Sequence, residues 1–294
     1  MSNNTKISSH YGKGGRLANS ADPLLINSAY LHDCEDGKIL LPYLAKANIA
    51  HLLVLHKGGI ISKGITKSLL RALQKMSNWP IHHYRIDPSN GDIYNNFDVE
   101  LRELVGNKSG WLHAGRPRRE AVNVAFLLSL RESVISSIRA SIDLFEALIQ
   151  KCINNMGTIM PDFTYLKHAQ PTNLAHYLMT FIYPLKRDID RLFELYERVN
   201  TSWGESGSTN GSSLPIDKRY FSKLLGYNNI SVHCRDAMWQ PDLPLESIGA
   251  HISLMMNLTR LTDELQIWNT SEFNYVDFPD AFSRASVILS LIHI

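Results

Sequence analysis

The sequence predicts an all-α protein, a bundle of long helices, and three observations carry that expectation. From Arg118 to Met156 there is neither Gly nor Pro. At ~1.5 Å rise per residue that stretch is a rod of roughly 57 Å. Apolar residues recur along it at three- and four-residue spacing, among them Val134, Ile135, Ile138, Ile142, Phe145, Leu148 and Ile149. Two further long patterns of this kind run from Asn173 to Val199, where Pro184 is expected to introduce a kink, and from Leu245 to Trp268. Alternation of apolar and polar residues never extends beyond a few positions, so no strand is expected. Stripes of that length need a partner surface, which points to a bundle shared between subunits.

Taken in order, the first forty residues are rich in Gly, Asn and Ser and are expected to form an irregular arm. Leu40, Leu41, Leu44, Ala47 and the run Ile49 to Leu55 mark a helix that the Gly58-Gly59 pair ends. Ser62 is placed to cap the next helix, which carries Ile65, Leu69, Leu70 and Leu73 on one stripe and runs to Met76. Pro80, Pro88 and a polar cluster make residues 78–90 a connector, and a further helix is expected from Tyr94 to Val105. Between the second and third long patterns lies the Gly/Ser-rich run from Gly204 to Ser213. It is either a flexible linker or backbone that must approach something closely.

Composition narrows the function classes. Hydrophobic residues make up 44% and charged residues 20%, with a net charge of +2, as in ordinary globular proteins. Neither a basic run nor a signal-peptide core is present, and no uninterrupted apolar stretch of spanning length is seen. No nucleic-acid or membrane partner is therefore expected, and the cytoplasm is the expected location. Three widely spaced cysteines, Cys34, Cys152 and Cys234, fit reduced thiols better than a disulfide or zinc framework. His51 and His56 are off the four-residue spacing of helical metal ligands, and His82-His83 fall in the connector. No metal site is expected.

Four segments stand out. Trp111 to Glu120 (W-L-H-A-G-R-P-R-R-E) brings Arg116, Arg118 and Arg119 to the head of the longest helix. Helix amides and guanidinium charge combine there into an anion site, unless the turn is simply solvated. The second segment, Pro161 to Pro171 (P-D-F-T-Y-L-K-H-A-Q-P), lies between two long helical patterns. The third is Gly91 to Asp98 (G-D-I-Y-N-N-F-D), and the fourth runs from Thr270 to Ile288 and contains S-R-A-S-V-I.

These segments resemble the argininosuccinate lyase family of the fumarase/aspartase (L-aspartase-like) superfamily. The first is similar to the family's H-T-G-R-S-R-N-D, the second to P-G-Y-T-H-L-Q-x-A-Q-P, and the third to E-D-[IV]-H-x-x-x-E. The fourth is similar to the segment leading into S-T-G-S-S-[LI]. Ala47-Asn48-Ile49-Ala50-His51 resembles G-S-x-A-H, Gly207 and Gly211 with Pro215-Ile216-Asp217 resemble G-A-L-A-G-T…P-[IV]-D, and Arg235-Asp236 matches an R-D pair. Coverage runs from about Tyr11 to Ile288.

The resemblance implies a fold, a reaction and a set of residues. The fold is an N-terminal helical domain over residues 1–112 and a central helical bundle over 113–288, which is incomplete. The reaction is a β-elimination of an N-succinyl substrate, a small amino-acid compound, releasing fumarate with no cofactor. The family assembles its sites from three subunits of a homotetramer. Ser286 matches the catalytic serine, the base on a closing loop. Tyr165 stands where the family has a functional His, and Tyr94 replaces a second one. A tyrosine has a reference pKa of ~10 rather than ~6.5, so it suits proton donation better than proton abstraction. Asn48, Tyr94, Arg118, Arg119, Thr164, Gln170 and Arg235 fall at substrate-binding positions, with Arg119 where the family has Asn. A diverged homologue that binds a ligand or partner without turnover is the alternative. The last six residues, Leu289 to Ile294, match one frame of a library adapter and are expected to be a non-native tail. On that expectation the chain is the front portion of a longer enzyme and inactive by itself.

Overall fold

The computed structural model describes residues 21–207, 209–238 and 241–282. Helix dominates, as the periodicity predicts. Helicity begins earlier than expected, because α1 (Pro23–Leu25), a π turn (Ile26–Tyr30) and α2 (Leu31–Gly37) follow one another where an irregular arm was anticipated. Asp22 starts this run by accepting a hydrogen bond from the Leu24 amide at 2.8 Å. Cys34 and Gly37 are its buried points, and a Cβ on Gly37 would lie 2.8 Å from Ile93. Packing against a neighbour supports this helical run.

α3 (Leu41–Lys57) is buried on most of its circumference, and Asn48 and His51 are buried with its leucines. It stops at Gly58, where a Cβ would lie 2.4 Å from the Pro215 carbonyl oxygen. α4 (Lys63–Ser77) starts at Ser62, whose hydroxyl accepts from the Ile65 amide. It turns Leu69, Leu73 and Met76 onto α3. α5 (Ile93–Val105) is capped by Asp92, which accepts from the Asn95 amide at 3.0 Å. Leu41, Leu44, Leu52, Leu55, Leu69, Leu73, Phe97 and Leu101 meet in one core.

α6 (Arg118–Asn154) is the long rod, 37 residues without interruption. It is followed by β1 (Ile159–Thr164) and β2 (Lys167–Asn173), an antiparallel hairpin the sequence did not announce. Its turn is Tyr165-Leu166, both with positive φ, at 53° and 59°. Hairpins normally declare such a turn with Gly or Asn, and this one has neither. Pro161 and Pro171 face each other across the ladder, which further hides the strands. A left-handed leucine costs about 1–2 kcal/mol. Leu166→Gly should therefore stabilise the fold by about 1 kcal/mol in urea denaturation, and a loss of stability would contradict the strain.

α7 (Leu174–Val199) carries Pro184 inside it, α8 (Lys218–Leu224) is capped by Asp217, and α9 (Asp242–Trp268) is the last long helix. Two-residue strands β3 (Thr201–Ser202) and β4 (Asn229–Ile230) pair in parallel. The chain forms two compact units, each discontinuous in sequence. One takes residues up to 135 together with 195–244; the other takes 136–194 with the remainder. Two helical runs, Pro23–Lys57 and Arg118–Asn154, are long and apolar enough to cross a membrane by length and composition, and the first is mostly buried within the fold.

The run from Gly204 to Ser213 is not a free linker where it is described. Glu205, Ser206 and Gly207 are buried. A Cβ on Gly204 would sit 2.3 Å from the Phe221 ring, and one on Gly207 would sit 2.5 Å from the Gly211 carbonyl oxygen. Close approach is what the glycines provide.

Candidate active site

In the first unit the candidate residues gather around Arg116, which enters just before α6. Arg116 is only 5% exposed. Its Nη2 donates to Oδ1 of Asn48 on α3, which fixes the orientation of that buried amide. Tyr94 on α5 is buried beside the same guanidinium and meets the His113 ring edge-on at 6.1 Å. Burial raises the Tyr94 phenol above its ordinary range, and the charge of Arg116 opposes that shift. His113 Nε2 in turn lies 3.2 Å from Asp98 Oδ2.

Behind these residues sits a layer of buried acids. Glu120 on α6 accepts the Glu205 backbone N–H at 2.6 Å. The Glu205 carboxyl lies 2.7 Å from His51 Nδ1, with both side chains fully buried. Burial pushes both carboxyls up to about 7; each raises against a partly compensating Arg116, and Glu205 adds to the rise at Glu120. Burial, and then Arg116, hold the His51 imidazole well below its ordinary pKa. Arg116 Nε and Nη1, Glu120 Oε2 and Glu205 Oε2 are buried without a hydrogen-bond partner.

The arginines at the head of α6 divide their work. Arg118 is half-exposed and its Nη1 is 2.8 Å from Asp92 Oδ2, so the cap of α5 also holds Arg118. Arg119 is exposed at the head of α6. Arg235 is exposed, next to the short turn Asp236–Met238. Of the candidate residues in this unit, the structure brings Asn48 and Tyr94 together through Arg116.

In the second unit Thr164, Tyr165 and Gln170 all lie on the hairpin and all are exposed. Tyr165, at the tip, is 100% exposed. Phe163 anchors the hairpin, its ring tilted against His168 at 5.1 Å and edge-on against Phe273 at 5.2 Å. Ser286 lies outside the described residues.

The sequence motifs assign substrate contact to Arg118 and Arg119, and place His51 in the G-S-x-A-H-like segment without giving it a role. The structure gives Arg116, His51, Glu120 and Glu205 the central buried positions of the first unit. One signal was available for His51: it stands three residues after Asn48, on the same helical face. For Glu205 the signal was a lone acid within a Gly/Ser run.

A protein-family model described as lyase matches residues 38–287. Argininosuccinate lyase from Bacillus mycoides is 33% identical over 252 residues, 83% of this chain and 53% of that protein. The enzyme from Methanocorpusculum labreanum is 33% identical across 94% of this chain and 56% of its own length. The chain thus spans about half the length of the curated relatives it matches. Among solved structures, EDDS lyase in complex with formate superposes with a TM-score of 0.79 at 26% identity, covering 92% of this chain and 54% of that one. Class II fumarase from Schistosoma mansoni, at 14% identity and a TM-score of 0.67 over 80% of this chain and 58% of its own, shares the fold alone. A family match across most of the chain, on a mostly helical fold of this kind, makes the protein a member of the lyase family, within the fumarate lyase superfamily.

Proposed function

We propose that the protein is a carbon–nitrogen lyase that cleaves an N-succinyl amino-acid substrate by β-elimination and releases fumarate. Argininosuccinate, giving arginine and fumarate, is the first substrate to test, and it would place the protein in arginine biosynthesis. The observation that carries this reading is the convergence of Asn48 and Tyr94 on Arg116, in a chain 33% identical to argininosuccinate lyases. A solved EDDS lyase variant, 25% identical to this chain, holds fumarate, which supports a fumarate-releasing elimination.

In that reaction a base takes the Cβ proton of the succinyl unit, the electron pair is held as an enediolate-like anion, and the C–N bond then breaks. Ser286 is the proposed base, arriving on a closing loop. Tyr165 is the proposed acid, its O–H protonating the departing nitrogen. The barrier lies in the anion, so donors aimed at its carboxylate matter most. Asn48, Arg118, Arg119 and Arg235 would supply them, with Tyr94, Thr164 and Gln170 orienting the substrate. None of these steps calls for a metal or organic cofactor.

We also propose a homotetramer in the cytoplasm. Leu245, Ile248, Ile252, Met255 and Met256 are all more than half exposed along one side of α9. Their three- and four-residue spacing supports a helix seam between copies of this chain. A second reading, a homologue that binds without turnover, is favoured by the burial of Tyr94 and by the pairing of Arg118 with Asp92.

Adding argininosuccinate to the intact, full-length protein and following fumarate absorbance separates the two readings. Turnover is the expected result. A thermal shift with the ligand and no fumarate would favour binding without chemistry.

A further inference from the structure

We infer that Glu205 is a neutral carboxylic acid near neutral pH, that it shares its proton with His51, and that this proton-bearing pair is a positioning device that locks the backbone at Gly204–Gly207 onto the Asn48–Arg116 contact.

The argument is a count of hydrogens. His51 Nε2 lies 3.2 Å from the Ala114 carbonyl oxygen. A carbonyl only accepts, so Nε2 must carry hydrogen and donate. In a neutral ring Nδ1 then has no hydrogen and must accept. Its partner at 2.7 Å is Glu205 Oε1, and a carboxylate oxygen cannot donate. Either Glu205 carries the proton, or His51 is a cation facing a carboxylate.

Three observations choose the first. His51 and Glu205 are both fully buried, where a separated ion pair is costly. Arg116 already stands beside His51, and a second cation there is repelled. Glu205 Oε2 is without a partner, and a neutral carbonyl oxygen tolerates that better than an anionic one. Burial raises the Glu205 carboxyl to about 7, which agrees with the count. The other charged or titratable groups facing the pair are His113, Glu120 and Lys218.

Geometry explains what the proton holds. Glu205 has φ +60°, a left-handed conformation that a glutamate adopts only when its surroundings enforce it. Its side chain fastens to His51 on α3, one turn from Asn48, and its N–H fastens to Glu120 on α6. The loop is thereby tied to α3, which carries Asn48, and to α6, which Arg116 shortly precedes. Glu205 touches no candidate substrate residue, so its effect passes through Arg116.

The raised carboxyl also sets a sign for pH. Its folded pKa lies above its ordinary one, so the stabilisation is complete below the ordinary glutamate pKa and is lost as pH rises through about 7.

Three measurements test the shared proton. Nitrogen-15 NMR of the imidazoles at pH 6 should show His51 as the Nε2–H tautomer; an imidazolium or an Nδ1–H tautomer overturns it. Glu205→Gln keeps a donor toward Nδ1 and should retain the wild-type Tm at pH 6, while Glu205→Ala should fall by about 5 °C or more. Equal losses in both variants would sink the shared proton. From pH 6 to 8 the wild-type Tm should decline more steeply than that of the Gln variant; parallel slopes count against it. The positioning role rests on the elimination reading above. There, Glu205→Ala should raise KM several-fold with little change in kcat, and Glu205→Gln should restore it. Absence of turnover in every variant would retire the elimination reading and leave the NMR and Tm results standing.

Discussion

Arg116→Met should destabilise the protein by about 3–5 kcal/mol in urea denaturation, the expected loss when one member of a buried ionic cluster is removed. Methionine fills much the same space, so the change isolates charge from packing. What remains is Glu120, 1% exposed, with one oxygen already lacking a partner. Asn48 Oδ1 loses its donor as well. The variant should recover with acid: removing Arg116 takes away the influence that lowers the Glu120 pKa. A carboxyl whose folded pKa is raised gives its stabilisation below its ordinary pKa and loses it as pH rises. The variant should therefore come closer to wild type at pH 5 than at pH 8. Adding Glu120→Gln to Arg116→Met should return part of the loss at pH 8. A loss below about 1 kcal/mol, independent of pH, would show that the cluster is not held by charge.

Tyr165→Phe should lower kcat for fumarate release by about 100-fold or more, the scale of a lost general acid. Its Tm should not move. The side chain is fully exposed at the hairpin tip, so the hydroxyl contributes nothing to the folded unit it belongs to. Phe keeps the ring and the same backbone preferences at φ 53°. The pairing of a large kinetic effect with no thermal effect is what separates a chemical role from a structural one. Unchanged kcat would remove Tyr165 from the mechanism, and a fall in Tm would show that the tip packs in a way exposure does not reveal.

Much of the fold was legible because helices are short-range objects. The ends of α3 and α4 were readable from Gly58-Gly59 and Ser62, since a cap or a break acts within one turn. The rod α6 was readable from the absence of Gly and Pro. The hairpin was not, because its turn uses Tyr165 and Leu166 in a conformation those residues disfavour. The helical run before α3 was hidden within a first forty residues rich in Gly, Asn and Ser, and contacts such as Gly37 against Ile93 hold it.

The candidate site divides in the same way. Local motifs pointed to Asn48, Tyr94 and the arginine triplet at the head of α6, but they could not rank Arg116, Arg118 and Arg119. Ranking needed burial and partners, and these placed Arg118 on Asp92 and Arg116 on Asn48.

By itself, the order of residues determined the helical class, most helix ends and the family resemblance, because each depends on neighbours a few positions apart. Only the tertiary structure decided that Glu205 meets His51 across 154 positions of chain, and that Arg116 lies among acids rather than in water. Charge state depends on what surrounds a group in space, and in a folded chain most of those surroundings come from distant sequence.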